Sequence, residues 1–209
     1  MPDVVIHAHP LSPYGWTAVL VAAEKGVAYG RAPADTEAPD YVRLHPFRKM
    51  PVLRHGDLIV YETLAIAHYL DRAFPGPALQ PADYLGQTEM LRWISVVNGY
   101  AFPVMNGLVK QRVARFFERN ADALPDLTGP LATQIALIEG GLGRNPYLVG
   151  ERLTLADVFL FPLLHMVSLI PEGADALGAA TATRAWLDRI RARPSFAATD
   201  PMAQAAPAS

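Results

Sequence analysis

Cysteine is absent from all 209 residues. No disulfide framework, zinc-thiolate site, iron–sulfur cluster, cysteine nucleophile or CxxC redox pair can therefore form within this chain. An excess of one charge is missing too: 18 Lys and Arg stand against 20 Asp and Glu, a formal charge of −2. Bulk electrostatic attraction to nucleic acid or to an anionic membrane is thereby removed. There is no long apolar run. The best stretch, Leu155 to Ile170, is broken by Asp157, Pro162 and His165 and is too short to span a bilayer. The opening Met1-Pro2-Asp3-Val4 lacks a basic segment followed by an apolar one, which predicts no secretory leader and a cytoplasmic protein. His7 and His9 share a strand face, but no carboxylate or third histidine sits at a local ligand spacing, so no metal site is expected. Arg184, Arg189, Arg191 and Arg193 surround Asp188 near the end, a pattern that predicts a solvated helix face rather than a nucleic-acid surface.

What is present is a chain 51% apolar and 18% charged, the composition of a folded globule. Val4 to His9 reads as a short buried strand ending at Pro10. Trp16, Val19, Leu20 and Ala23 recur at helical spacing, and Lys25-Gly26 supplies the stop. A weaker strand is expected near Ala28 to Ala32. Val52–His55 and Leu58–Tyr61 flank Gly56-Asp57, a two-residue hairpin signal. Leu64, Ala67, His68 and Leu70 continue as a helix that ends before Phe74-Pro75-Gly76.

Pro75 to Asp83 has the composition of a linker. Beyond it only helical periodicity remains, in Leu85 to Phe117 with an interruption at Pro103, Leu131 to Leu142, Leu155 to Ile170, and Thr183 to Arg193. The expected fold class is α/β plus all-α. An N-terminal α/β domain spans residues 1–78, a helical domain 84–200, and a flexible Ala/Pro-rich tail 201–209.

Three segments carry residue types that suggest chemistry. Ser12, between a strand end and a helix start, reads either as an N-cap or as a hydroxyl donor to an anion beside helix N-terminal amides. Met50 is held extended by Pro51, whose peptide bond has an accessible cis form; the alternative is an ordinary strand-initiating proline. Glu62-Thr63 puts a carboxylate and a hydroxyl ahead of a helix, where Thr63 is either a plain N-cap or part of a carboxylate-binding turn. A fourth segment, Thr154-Leu155-Ala156-Asp157, has capping-box spacing before an apolar run and is structural.

His9-Pro10-Leu11-Ser12, His45-Pro46-Phe47-Arg48-Lys49-Met50-Pro51-Val52-Leu53, Tyr61-Glu62-Thr63-Leu64-Ala65-Ile66 and Leu153-Thr154-Leu155-Ala156-Asp157 lie in register along nearly the whole chain. Together they resemble the cytosolic glutathione transferase family, in its bacterial, serine-type form with phi-, nu- or theta-like branches. The resemblance implies a thioredoxin-like domain followed by a helical bundle domain, and a homodimer. It implies glutathione as co-substrate, with no tightly bound cofactor. Ser12 would stabilise the glutathione thiolate, with Tyr14 as rival donor. Lys49 would face the glycyl carboxylate. Met50, before a cis-Pro51, would pair with the cysteinyl backbone, and Glu62 and Thr63 would receive the γ-glutamyl end.

A small hydrophobic electrophile would enter between the domains, where apolar clefts form, lined by Tyr14, Trp16, Tyr100, Phe102, Met105, Phe116 and Phe117. Core or dimer packing is the other role open to these side chains. Two departures from the family pattern stand out: Trp16-Thr17 lies where many relatives carry Arg, and Arg48 replaces a common Gly. Thr63 stands where most relatives carry Ser and keeps the hydroxyl. The implied function is conjugation of glutathione. The alternatives are a non-catalytic binding protein on the same fold, and a glutathione-dependent isomerase or dehalogenase.

Overall fold

Buried Val4 and Ile6 alternate with half-buried neighbours along β1 (Val4–His7), as they must in a strand with unlike faces. The computed structural model describes residues 3–116 and 125–204. β2 (Tyr29–Ala32), β3 (Val52–His55) and β4 (Leu58–Tyr61) complete a mixed sheet of order β2-β1-β3-β4. Val4 lies opposite Tyr29 in the parallel β1–β2 pair and opposite His55 in the antiparallel β1–β3 pair. Val52 lies opposite Tyr61 in the hairpin, whose turn holds Gly56 at φ +57°, a left-handed value that glycine adopts without a Cβ penalty.

A parallel pair needs a crossover, and α1 (Pro13–Glu24) supplies it. α2 (Thr63–Ala73) buries Ile66, Ala67 and Leu70 and packs against α1. The segment after α2 reads as a linker by composition, yet it is pinned. Lys25 Nζ reaches Asp71 Oδ1 at 3.1 Å and the carbonyls of Gly76 and Pro77 at 3.3 and 3.0 Å. Asp71 Oδ1 also accepts from the Leu79 N–H at 2.9 Å. Both charged side chains are 3% exposed, a burial tolerable because each is paired and hydrogen-bonded.

The remaining helices are α3 (Tyr84–Val96), α4 (Phe102–Phe116), α5 (Thr128–Leu142), α6 (Leu155–Ser168), α7 (Pro171–Leu177), α8 (Thr181–Arg191), α9 (Pro194–Thr199) and α10 (Pro201–Gln204). Between α3 and α4 the chain widens into a π-helical turn, Val97–Ala101. Pro103, two residues later, has no N–H to give, and a widened turn upstream accommodates it. α6 is apolar around its whole circumference and buried from Leu155 to His165, as a central helix must be. Its start carries the expected capping box. Asp157 is fully buried and accepts from the N–H groups of Leu148 and Thr154 and from Trp186 Nε1, each at 2.9 Å. The Thr154 hydroxyl also donates to it, at 3.1 Å.

The chain divides into two compact units, 1–79 with 192–209, and 80–191. This departs from the expected boundaries, which placed 192–200 in the helical domain. The return segment is tied to α1 by Arg193, whose Nε and Nη2 donate to the two Glu24 oxygens at 2.6 and 2.7 Å. Ser195 adds a third donor to Glu24, and Trp16 Nε1 donates to Thr199 Oγ1 at 3.0 Å. Residues 201–204, expected to be tail, form a helical turn. On the arginine-rich α8, Arg184, Asp188 and Arg189 are exposed, as a solvated face requires; Arg189 also donates to the Pro146 carbonyl, and the half-buried Arg191 to His165 Nδ1 and Ser168. Among the described residues no single helix is long and apolar enough to cross a membrane.

Candidate functional site

Ser12 is the N-cap of α1. Its backbone is extended (φ −75°, ψ 119°) and its Oγ accepts from the Gly15 N–H at 3.1 Å. A hydroxyl has one proton and two lone pairs, so the cap uses an acceptor site and leaves the O–H as a donor. The two readings of Ser12 are therefore compatible. Gly15 is required here: a Cβ would sit 2.6 Å from Ala8 Cβ and 3.1 Å from Ser12 Cβ. The preceding turn is fixed by the Ser12 N–H on the His9 carbonyl (2.9 Å) and the Leu11 N–H on His9 Nδ1 (3.1 Å).

Met50 comes to this turn from 41 residues away, its sulfur accepting the His9 N–H at 3.2 Å. The Met50–Pro51 peptide bond is cis. The Lys49 carbonyl is held by the Tyr41 hydroxyl at 2.9 Å, while the Lys49 side chain is exposed. Arg48 has φ +51°, the left-handed region that favours glycine, which is why glycine suits this position. Its guanidinium donates to the carbonyls of Thr36 and Ala38 at 3.1 and 2.8 Å, offsetting the backbone cost by securing the preceding loop. Arg48 is thus a structural residue.

Glu62 has φ +69° and ψ 121°, a costly conformation for a residue with a side chain, and such strain concentrates at functional sites. It is the N-cap of α2, but its carboxylate makes no capping bond. Thr63 is the first helical residue and is 8% exposed, so the plain N-cap reading of Thr63 is set aside. The first amides of α2 have no side-chain cap, the condition in which a helix start favours an anion.

Tyr14 is half-buried. Burial, and secondarily the Glu62 charge, push its phenol pKa well above 10.0. His45, absent from the candidates drawn from the sequence, is 2% exposed. Its Nδ1 accepts from the Phe47 N–H at 3.2 Å and its Nε2 lies 3.9 Å from Glu62 Oε1. Burial holds its pKa below 6.5, with Glu62 pulling upward and Lys49 downward. Its membership in the HPFRKMP segment was the available signal.

The lining candidates separate. Trp16 is 3% exposed and ring-packed on Phe196 at 6.1 Å, so it belongs mainly to the core of the first unit. One edge borders a cavity of about 280 Å³ with His9, Pro10, Arg31 and Pro33. Met105 is completely buried and is core, a correction that follows from the inward face of α4 it occupies. Phe102 is half-buried. Tyr100 is 67% exposed and borders an apolar cavity of about 660 Å³ in the helical unit, with Trp93, Val97, Pro103 and Leu137. Phe117 lies outside the described residues, and of Phe116 only the helical backbone is described. Among the described residues no group of three or more His, Asp or Glu could hold a metal ion.

A thioredoxin-like sheet with a capped, hydroxyl-bearing helix start, a cis-proline turn and a strained Glu-Thr turn, followed by a helical unit, defines a class. The chain belongs to the glutathione S-transferase family, whose N-terminal and C-terminal domain models match residues 11–73 and 121–189. Glutathione S-transferase 4 of Zea mays is 31% identical over 203 residues, covering 93% of this chain and 90% of that protein. A stringent starvation protein A homolog of Pasteurella multocida (strain Pm70) is 31% identical over 180 residues, covering 85% and 80%. The solved structure of glutathione S-transferase III in apo form matches with a TM-score of 0.86 at 29% identity, covering 100% of this chain and 99% of that one.

Proposed function

We propose that this chain is a glutathione S-transferase that binds glutathione on its first unit, stabilises the thiolate through Ser12, and presents it to a small hydrophobic electrophile. A thiol of pKa about 8.5 is mostly protonated at pH 7, and each unit of depression represents about 1.4 kcal/mol of preference for the reactive thiolate. The Ser12 hydroxyl and the positive end of α1 supply that preference, and the nucleophile is the sulfur of glutathione itself. The observation that carries the reading is the Ser12 cap, which turns an oxygen toward α1 and leaves its proton to donate.

Met50 pairs with the cysteinyl backbone as an added strand, Lys49 faces the glycyl carboxylate, and the turn at Glu62 and Thr63 receives the γ-glutamyl end. On the helical unit, Tyr100, beside the cavity of about 660 Å³, offers apolar surface to the electrophile. The protein works in the cytoplasm as a homodimer without a tightly bound cofactor, in detoxification. The exposed apolar side chains of Phe47 on the first unit, and of Tyr84 and Leu85 on the second, support surfaces covered in the dimer.

The second reading is a binding protein without turnover, supported by the likeness to a stringent starvation protein A homolog. Retention on immobilised glutathione, followed by conjugation of an aryl halide, tests the first reading. Passage through the column with no conjugation at any pH sends the search to protein partners.

A further inference from the structure

His45 is a buried titratable group that the proposed chemistry leaves unused. It follows a 3₁₀ turn (Pro39–Arg43) and is fixed by its own N–H on the Tyr41 carbonyl at 3.0 Å. Its ring packs on Tyr61 at 4.8 Å and Phe47 at 6.2 Å. Simple filling of this space would call for an apolar side chain, because an imidazole brings two polar nitrogens that need satisfaction. Both are directed. Nδ1 accepts from Phe47, in the loop that carries Lys49 and Met50, so the neutral ring bears its proton on Nε2. Nε2 faces Oε1 of Glu62, in the turn whose strained backbone persists only where its surroundings hold it.

Resting on the glutathione reading above, we propose that His45 is a positioning residue. Its one ring couples the Glu62 turn to the Lys49–Met50 loop and so holds the two ends of the bound tripeptide at their proper separation. The charged groups facing the ring are Glu62 and Lys49; its other neighbours are the aromatic rings of Tyr61 and Phe47. Protonation at Nδ1 abolishes the acceptor for the Phe47 N–H and loosens the loop. Glutathione affinity therefore falls as the pH drops below the ordinary imidazole value of 6.5. Glu62 is 68% exposed, so screening limits the coupling to severalfold.

The test is calorimetric titration of glutathione, from pH 5 to 7.5, into wild type, His45→Asn, Glu62→Gln and the double variant. Asn keeps an acceptor for the Phe47 N–H but cannot reach Glu62 and does not titrate. We expect His45→Asn to raise the glutathione Kd and KM roughly threefold to tenfold at pH 7, with kcat at saturation within about twofold. The acid loss of affinity is expected only with His45 present. In the Glu62→Gln background the His45→Asn effect is expected to shrink to below about 1.5-fold. His45→Gln, which also does not titrate, serves as second variant, and melting curves establish that each is folded. An effect of equal size in both backgrounds, or an acid limb that survives in both His45 variants, overturns the positioning role. A folded wild type that binds no glutathione overturns the underlying reading and the proposal with it.

Discussion

The hydroxyl of Ser12 accepts the Gly15 N–H at 3.1 Å, so a single oxygen caps α1 through a lone pair and the cap does not consume its O–H donor. Loss of this oxygen has two separable consequences. Ser12→Ala is expected to cost about 1 kcal/mol of stability through the cap, measured by urea unfolding. Ser12→Gly, at a position where glycine is nearly as good a cap, is expected to cost only a few tenths of a kcal/mol while losing the same donor.

Tyr14 is the other hydroxyl in this region, and its phenol is held neutral far above the working pH by burial and by Glu62. A weaker acid is a poorer donor to a thiolate. Tyr14→Phe is expected to leave the pKa of bound glutathione within about 0.3 unit of wild type, read by thiolate absorbance. A larger shift assigns the donor role to Tyr14.

Glu24 ties the return segment to α1. Burial disfavours its carboxylate, but hydrogen bonds from Arg193 and Ser195 outweigh that and leave the pKa below 4.5. For a carboxylate with a lowered folded pKa, the stabilisation is complete above the unfolded value. It is lost as the pH falls through the folded one, hence below 4.5. Glu24→Gln is expected to destabilise by about 1–3 kcal/mol and to open residues 192–204 to proteolysis at neutral pH. Protease resistance equal to wild type contradicts this.

Asp157 gathers four hydrogen bonds within the helical unit. Asp157→Ala leaves their donors without an acceptor and is expected to cost at least about 3 kcal/mol in thermal or urea unfolding. Unfolding within about 0.5 kcal/mol of wild type overturns its structural role.

Arg48 separates backbone from side chain. Ala at φ +51° keeps the strain and loses the guanidinium bonds, whereas Gly loses only the bonds. Arg48→Ala is expected to be less stable than Arg48→Gly by about 1 kcal/mol.

Local signals were legible in the chain: the Gly56-Asp57 hairpin, the α1 start at Ser12 and the Thr154–Asp157 box depend on residues close in sequence. The return of residues 192–204 to α1 was not, because Glu24 and Arg193 are 169 positions apart and neither carries a periodic pattern. The π-helical turn at Val97–Ala101 was visible only as an interruption at Pro103. Helical periodicity marks Met105 as apolar but does not separate a lining role from a core one, and the structure buries it completely. His45 was in view within its segment, but its role depends on Glu62, which only the β3–β4 hairpin brings near.

The most direct test of the account is a titration of enzyme-bound glutathione, following thiolate ultraviolet absorbance against pH in wild type and Ser12→Ala. The account predicts a thiol pKa depressed by at least about one unit from 8.5 in wild type, and a return toward 8.5 in Ser12→Ala with glutathione still bound. An unshifted thiol in wild type, or a depression that survives the loss of Ser12, contradicts it.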